Sequence, residues 1–199
     1  MKYSRVFINS LAYELAPHVV SSSELESRLA PLYKKLRIPM GQLAALTGIE
    51  ERRWWPSDHR LSDGAIEAAK KSIVETGVAL DDIGAVIYTG VCRDQHEPAT
   101  ACRIAAELGI SNNTAIYDIS NACLGVLSGI LDVANRIELG QIKAGLVVSC
   151  ESARHIVDIT IDNMLENPSI QNFSQSLATL IGGSGAVAVL LTDGSLALK

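Results

Sequence analysis

Short apolar runs of strand length alternate along this chain with stretches whose apolar residues recur every three or four positions. This is the pattern of an α/β domain whose sheet is covered by helices. The first run is Val6 to Leu11. Leu25, Leu29, Leu32 and Leu36 then mark one amphipathic helix, with Ser23 and Glu26 spaced as a capping box and Pro39 as its stop. A second helix starts at Ser62, lines Ala65, Ile66, Ala69 and Ile73 along one face and ends at Gly77. Ala85 to Tyr88 reads as a buried strand. Pro98 suits the first turn of a helix through Ala101, Ile104, Ala105 and Leu108 that stops at Gly109, and Thr114 to Ile119 is the next strand. Leu124 to Leu139 is apolar nearly all round, which predicts a buried helix closed by Gly140. Leu146 to Val148 and Val187 to Leu191 complete five strands, the last introduced by Gly182-Gly183-Ser184-Gly185. Ser152 to Thr179 is polar and gives no firm element. The expectation is a single domain over residues 1–199, built on a mixed, mostly parallel five-stranded sheet.

Composition narrows the class. With 199 residues, 48% of them hydrophobic and 20% charged, the chain has material for a large core. Its net charge of -5 and scattered Lys and Arg residues argue against non-specific nucleic-acid binding. No apolar stretch reaches about 18 residues, and the amino terminus lacks a signal-peptide core, so a soluble cytoplasmic protein without a membrane span is expected. The four cysteines, Cys92, Cys102, Cys123 and Cys150, show no C-x-x-C spacing, which disfavours a metal site; a cytosolic setting disfavours disulfides. His18, His59, His96 and His155 fall in no motif and receive no role.

Chemistry concentrates at Asp118-Ile119-Ser120-Asn121-Ala122-Cys123-Leu124-Gly125-Val126, where a strand passes into the buried helix. A thiol at a helix start faces unpaired N–H groups and the positive end of the dipole, which favour the nucleophilic thiolate. On position alone an inert core thiol fits equally, because free cysteine is among the most buried residue types. Cys102, inside a helix, and Cys150, at a strand end, are expected to be buried and unreactive. Cys92 follows Gly90 on the rim of the prospective site.

The segment Asp118 to Gly125 resembles the Asp-x-x-x-Ala-Cys-x-Gly nucleophile segment of ketoacyl synthase III enzymes, condensing enzymes of the thiolase fold. Thr47-Gly48-Ile49 with Glu51, Arg52 and Arg53, then Lys143 to Glu151, then Gly182 to Leu191 match further segments of that family in the same order. The resemblance implies a thiolase-like amino-terminal half in which Cys123 accepts an acyl group from a thioester and its backbone N–H contributes to an oxyanion hole. It implies no cofactor; coenzyme A or an acyl carrier protein enters only as the substrate's handle. It also implies a second half beyond Lys199 that covers the Leu124 to Leu139 helix and supplies an assisting histidine and asparagine, so an isolated half should expose enough apolar area to associate, as a homodimer at least. This chain alone would then accept an acyl group without condensing two. In initiation enzymes of the family a tryptophan and an arginine before Thr-Gly-Ile grip the adenine of coenzyme A; those places hold Gln42 and Leu46 here. Trp54 and Trp55 offer a stacking surface instead, although aromatics beside a proline such as Pro56 ordinarily pack a loop. Arg52, Arg53 and Cys92 are candidate substrate contacts, the arginines through coenzyme A phosphates, although exposed arginines often make no such contact.

Arg93-Asp94-Gln95-His96-Glu97-Pro98-Ala99-Thr100-Ala101 looks like the OleA type of enzyme, which condenses two acyl chains head to head. Asn121-Ala122-Cys123-Leu124 and Ala16-Pro17-His18 point the same way. Initiation synthases carry an apolar residue before this proline, which closes the partner's acyl pocket. In the OleA type a glutamate there acts as a base on the second acyl chain, and the product is a β-keto acid. The plain alternative is that Glu97 caps the helix at Pro98. Three functions follow: condensation of two fatty acyl-CoA molecules; joining of acyl-CoA to malonyl carrier protein; and a non-catalytic half that dimerises or binds a carrier.

Overall fold

The computed structural model describes residues 2–196. Along the chain run β1 (Phe7–Leu15), β2 (His18–Ser21), α1 (Ser22–Arg28), α2 (Ala30–Leu36), α3 (Gln42–Thr47), β3 (Glu51–Trp54), α4 (Leu61–Thr76) and β4 (Ile83–Tyr88). Then follow α5 (Thr100–Leu108), β5 (Ala115–Asp118), α6 (Gly125–Glu138), β6 (Ala144–Glu151), α7 (Arg154–Glu166), α8 (Ile170–Leu180) and β7 (Gly185–Thr192). Their contacts group into two compact units.

The first unit gathers the described residues of 1–14, 59–151 and 186–199. It holds the mixed five-stranded sheet expected from the sequence, in the order β1-β7-β6-β4-β5. Both neighbours of β4 run parallel to it, so that Tyr88, at the carboxyl end of β4, lies opposite Asp118 of β5 and Val148 of β6. The near-continuous apolar runs of β4 and β6 follow from cover on both faces. Ala85, Ile87, Val147, Val189 and Leu191 meet Val133, Ala134 and Ile137 of α6. Elsewhere α4 packs beside β6, and α5 beside β4 and β5. Gly77 and Gly109 cap α4 and α5 in the left-handed conformation, at φ of 68° and 71°, as the spacing predicts.

The helix after Cys123 is buried on one face and apolar but exposed on the other, as expected of an isolated half of the fold. Val133, Ala134 and Ile137 are buried, but Leu124, Leu127 and Leu131 are 56%, 56% and 40% exposed. The sheet covers only one stripe of α6, so its apolar outer face has no neighbour among the described residues of this unit. Its inner side is also tied by polar contacts: the Tyr117 hydroxyl donates to Asp132, and Arg136 Nη2 donates to the Tyr117 oxygen at 3.1 Å. Burial, and then Asp132, push the Tyr117 phenol up to about 12.

The second unit comprises Leu15–Asp58 and Ser152–Gly185. It contains an antiparallel pair that the apolar pattern did not reveal, β2 with β3, in register from His18 opposite Trp54 to Ser21 opposite Glu51. Its core joins Leu25, Leu29, Leu32, Tyr33, Leu43 and Trp54 to residues of α7 and α8. The single helix expected from Ser23 to Pro39 is two: α1 ends at Arg28, and Pro31, in the first turn of α2, lacks the N–H that would continue it. The cap is Ser21, whose Oγ accepts from Glu24 N at 3.1 Å, so Ser23 and Glu26 form no capping box. Glu26 is instead 2% exposed and serves the start of α3, accepting from Gly41 N at 2.6 Å and Leu43 N at 2.7 Å. The polar stretch from Ser152 to Thr179 folds as α7, burying Val157, Ile161 and Met164, and as most of α8, burying Phe173. No helix among the described residues is long and apolar enough to cross a membrane.

Candidate active site

The carboxyl ends of parallel β4, β5 and β6 lie side by side, and the segments leaving them carry the residues singled out above. That edge is where open α/β sheets place ligands, because the strands end together and the loops diverge. After β5, Ile119 N donates to Tyr88 O at 2.8 Å, and the chain enters a single 3-10 turn, Ala122–Leu124. Ala122 has φ +45°, a left-handed conformation that side chains with a Cβ avoid. Leu124 N to Asn121 O (3.0 Å) and Gly125 N to Ala122 O close the turn, and the N–H of Cys123 takes no part in either bond. Cys123 is exposed. The thiol thus sits in the turn just before α6 rather than within the helix, and the reading of Cys123 as an inert core thiol is excluded by its exposure.

The place of this turn is fixed by close packing. A Cβ on Gly125 would lie 2.3 Å from the Thr89 carbonyl oxygen, and one on Gly129 would lie 2.7 Å from a Val147 methyl. Only glycine lets the first turns of α6 approach the end of β4 so closely. Gly125→Ala is therefore expected to slow alkylation of Cys123 severalfold and to destabilise the chain by about 1–3 kcal/mol. Timed iodoacetamide labelling and denaturant unfolding measure the two effects; a variant matching the parent in both would refute this account of the turn.

The loop after β4 is held at several points. Val91 N and Cys92 N donate to the Glu151 carboxylate at 2.6 and 3.1 Å. The buried Tyr88 hydroxyl lies 2.6 Å from Cys92 O and 2.7 Å from Cys150 O, and burial pushes its phenol well up. Asp94 accepts from Ser62 N at 3.2 Å and from Ser62 Oγ, at the head of α4. Arg93 forms an ion pair with Asp118 at 3.5 Å, and its Nη2 donates to Ser120 Oγ at 2.6 Å. A cavity of about 390 Å³ beside this loop has a mixed wall, with His59, Arg60, Asp94 and Arg103 beside Leu61 and Pro98.

Glu97 is exposed and joined to Pro98 by a cis peptide bond. It caps no helix. Helix α5 starts at Thr100, beyond Pro98, and its first N–H groups are taken by Asp118, which accepts from Thr100 N at 2.9 Å and Ala101 N at 3.0 Å. A carboxylate from the next strand thus does what the sequence offered to Glu97. Among the described residues, no hydrogen bond or ion pair links Glu97 to Cys123.

Other expectations shift. Arg52 is 5% exposed, and its guanidinium donates to Val20 O and Ser22 Oγ, at 3.3 and 2.8 Å, so it stitches β2 to β3 and is not free for phosphates. Arg53 is half-buried and donates to Ala16 O at 3.2 Å. Trp54 and Trp55 are buried, as the packing reading has it, and Trp54 Nε1 donates to Gly182 O at 3.1 Å. Cys92 has its backbone pinned and its side chain half-buried. Cys150 is buried, but Cys102 is only half-buried, because its position lies off the innermost stripe of α5. Sequence reasoning missed Arg93, Asp94, Asp118 and Glu151 as the loop's supports; the Arg-Asp pair beside Glu97 was the one available signal.

An exposed cysteine on a strained turn, between the end of a parallel strand and a glycine-packed helix, marks the candidate site, and the chain belongs to the thiolase family: residues 44–180 match the thiolase N-terminal domain. It is 83% identical over 198 residues to an acyl-CoA:acyl-CoA alkyltransferase of Shewanella oneidensis, covering 100% of this chain and 57% of that protein. A solved structure of Xanthomonas campestris OleA, in a glutamate-to-glutamine variant, aligns with a TM-score of 0.91 at 34% identity, over 96% of this chain and 56% of that one. A β-ketoacyl-[acyl-carrier-protein] synthase III of Bacillus pumilus is 40% identical over 112 residues, 56% of this chain and 36% of that protein. The chain thus spans a little over half the length of the first two.

Proposed function

We propose that this chain supplies the nucleophile and the base for a Claisen condensation of two fatty acyl-CoA molecules. The observation that carries the reading is the exposed Cys123 on its strained turn. The Cys123 thiolate attacks the carbonyl of one acyl-CoA; coenzyme A leaves as a thiol and an acyl-enzyme remains. The Cys123 N–H is one donor to the tetrahedral oxyanion. Glu97 takes a proton from the α-carbon of the second acyl-CoA, and the carbanion attacks the acyl-enzyme, releasing Cys123 and forming a β-ketoacyl-CoA. Water cleaves that thioester to a β-keto acid and coenzyme A. A second half, matching the part of the relatives beyond the span aligned here, provides the assisting histidine and asparagine. Glu97, exposed and without a hydrogen bond or ion pair among the described residues, acts across a homodimer. Four cysteines outside any disulfide suit a cytoplasmic setting.

Support comes from spacing. In Xanthomonas campestris OleA the glutamate and the cysteine that were substituted stand as far apart in sequence as Glu97 and Cys123 do here, and the same offset carries its substituted histidine past Lys199. The likeness to the Bacillus pumilus enzyme favours a second reading, decarboxylative joining of acyl-CoA to malonyl carrier protein. A chain completed with the remaining portion of the Shewanella oneidensis relative and given only a long-chain acyl-CoA should release coenzyme A and β-keto acid. Product formation only after malonyl carrier protein is added would establish the second reading; no acyl adduct at all would leave a dimerising or carrier-binding role.

A further inference from the structure

We propose that Arg93 is a positioning residue that locks the loop carrying Glu97 to the turn carrying Cys123. The inference rests on the reading of those two residues as base and nucleophile. Arg93 directs one arm of its guanidinium at Asp118 (3.5 Å) and the other at Ser120 Oγ (2.6 Å), while Asp118 holds the first turn of α5, just beyond Glu97-Pro98, through Thr100 N and Ala101 N. The Arg93 side chain is 24% exposed and that of Asp118 only 3%, so the pair is largely shielded from water and salt. One cation and one carboxylate therefore connect both ends of the Glu97 segment to the residues that lead into the nucleophile turn.

The chemistry of the link is specific to arginine. A planar fork serves two acceptors at once, whereas a lysine ammonium in the same place is a compact charge with a different reach. Loss of the fork also differs from loss of the fold. Without Arg93, Asp118 still accepts two backbone N–H groups and α5 keeps its cap, so the main casualty is the register between loop and turn. Errors of about an ångström in such registers cost rate far more than stability.

The test uses a chain completed with the remaining portion of the Shewanella oneidensis relative, and compares the parent with Arg93→Gln, Arg93→Lys, Ser120→Ala and the Arg93→Gln/Ser120→Ala double variant. Single-turnover acylation of Cys123 by myristoyl-CoA is followed by intact mass, condensation by β-keto acid release, and stability by thermal unfolding. Arg93→Gln should slow acylation about tenfold and condensation about a hundredfold, through kcat rather than KM, with a melting temperature close to the parent's. Arg93→Lys should not rescue. Ser120→Ala should reproduce the acylation defect, and the double variant should be no slower than Arg93→Gln, because the loss of Arg93 already removes the contact that Ser120→Ala breaks. Parent-like rates in Arg93→Gln, full rescue by lysine, or additive losses in the double variant would each overturn the proposal. If Arg93→Gln does not fold, Ser120→Ala decides, a parent-like acylation rate counting against it. A parent that never acylates Cys123 would instead refute the underlying reading, and this inference with it.

Discussion

Replacing Cys123 with alanine should reduce acyl transfer from a fatty acyl-CoA by on the order of 10⁴-fold or more, the scale on which enzymes lose rate when their nucleophile is removed. The fold should tolerate the change. Cys123 is exposed, and the turn around it is closed by the backbone of Asn121, Ala122, Leu124 and Gly125, none of which alanine disturbs. Intact-mass measurement after incubation with palmitoyl-CoA reads the result directly: one acyl adduct on the parent, none on the variant. The same geometry orders the other thiols. Iodoacetamide should label Cys123 ahead of the half-buried Cys92 and Cys102, with Cys150 inert in the native protein. An adduct that persists in Cys123→Ala, or labelling that begins at Cys102, would remove Cys123 from the mechanism.

Glu97→Gln separates the two enzymatic readings. Glutamine keeps the size and polarity of the side chain but cannot accept the α-proton. The structure also excludes one trivial route to an effect, since α5 is capped by Asp118 and loses nothing when Glu97 is neutralised. In the completed enzyme the variant should therefore acylate Cys123 at the parent rate and lose condensation by about a hundredfold or more, the usual consequence of deleting a general base. A decarboxylating synthase generates its carbanion by losing carbon dioxide and needs no such base. Parent-level condensation in Glu97→Gln would favour malonyl chemistry, and a variant slow in acylation as well would show that Glu97 shapes the nucleophile rather than the second substrate.

What the sequence disclosed and what it hid divide along the distance over which each residue is satisfied. The five sheet strands were legible because each is a short apolar run between turn residues, and the turn at Cys123 because its residues are contiguous. Glu26 was misread because a carboxylate placed like a capping-box partner is drawn to the amides of Gly41 and Leu43, far along the chain. The start of α5 was set too early for the same reason: its cap arrives from Asp118. The β2–β3 pair escaped because its buried polar member, Arg52, interrupts the apolar alternation while its guanidinium bonds the facing strand. Helix α7 was hidden by its solvent face. Val157, Ile161 and Met164 do follow helical spacing, but the polar residues between them outnumber them. In α6 both faces were legible: Val133, Ala134 and Ile137 are buried, and Leu124, Leu127 and Leu131 form the exposed apolar face expected of an isolated half.

For protein engineers the supports of the 91–99 segment set the unit of exchange. Its backbone amides end on Glu151, its Asp94 on Ser62, its Arg93 on Ser120 and Asp118, and the helix that follows on Asp118 again. A chimera that grafts only this segment from a relative imports a loop without its moorings. The smallest transplant that keeps its shape carries five positions from elsewhere in the chain, 62, 88, 118, 120 and 151, along with it.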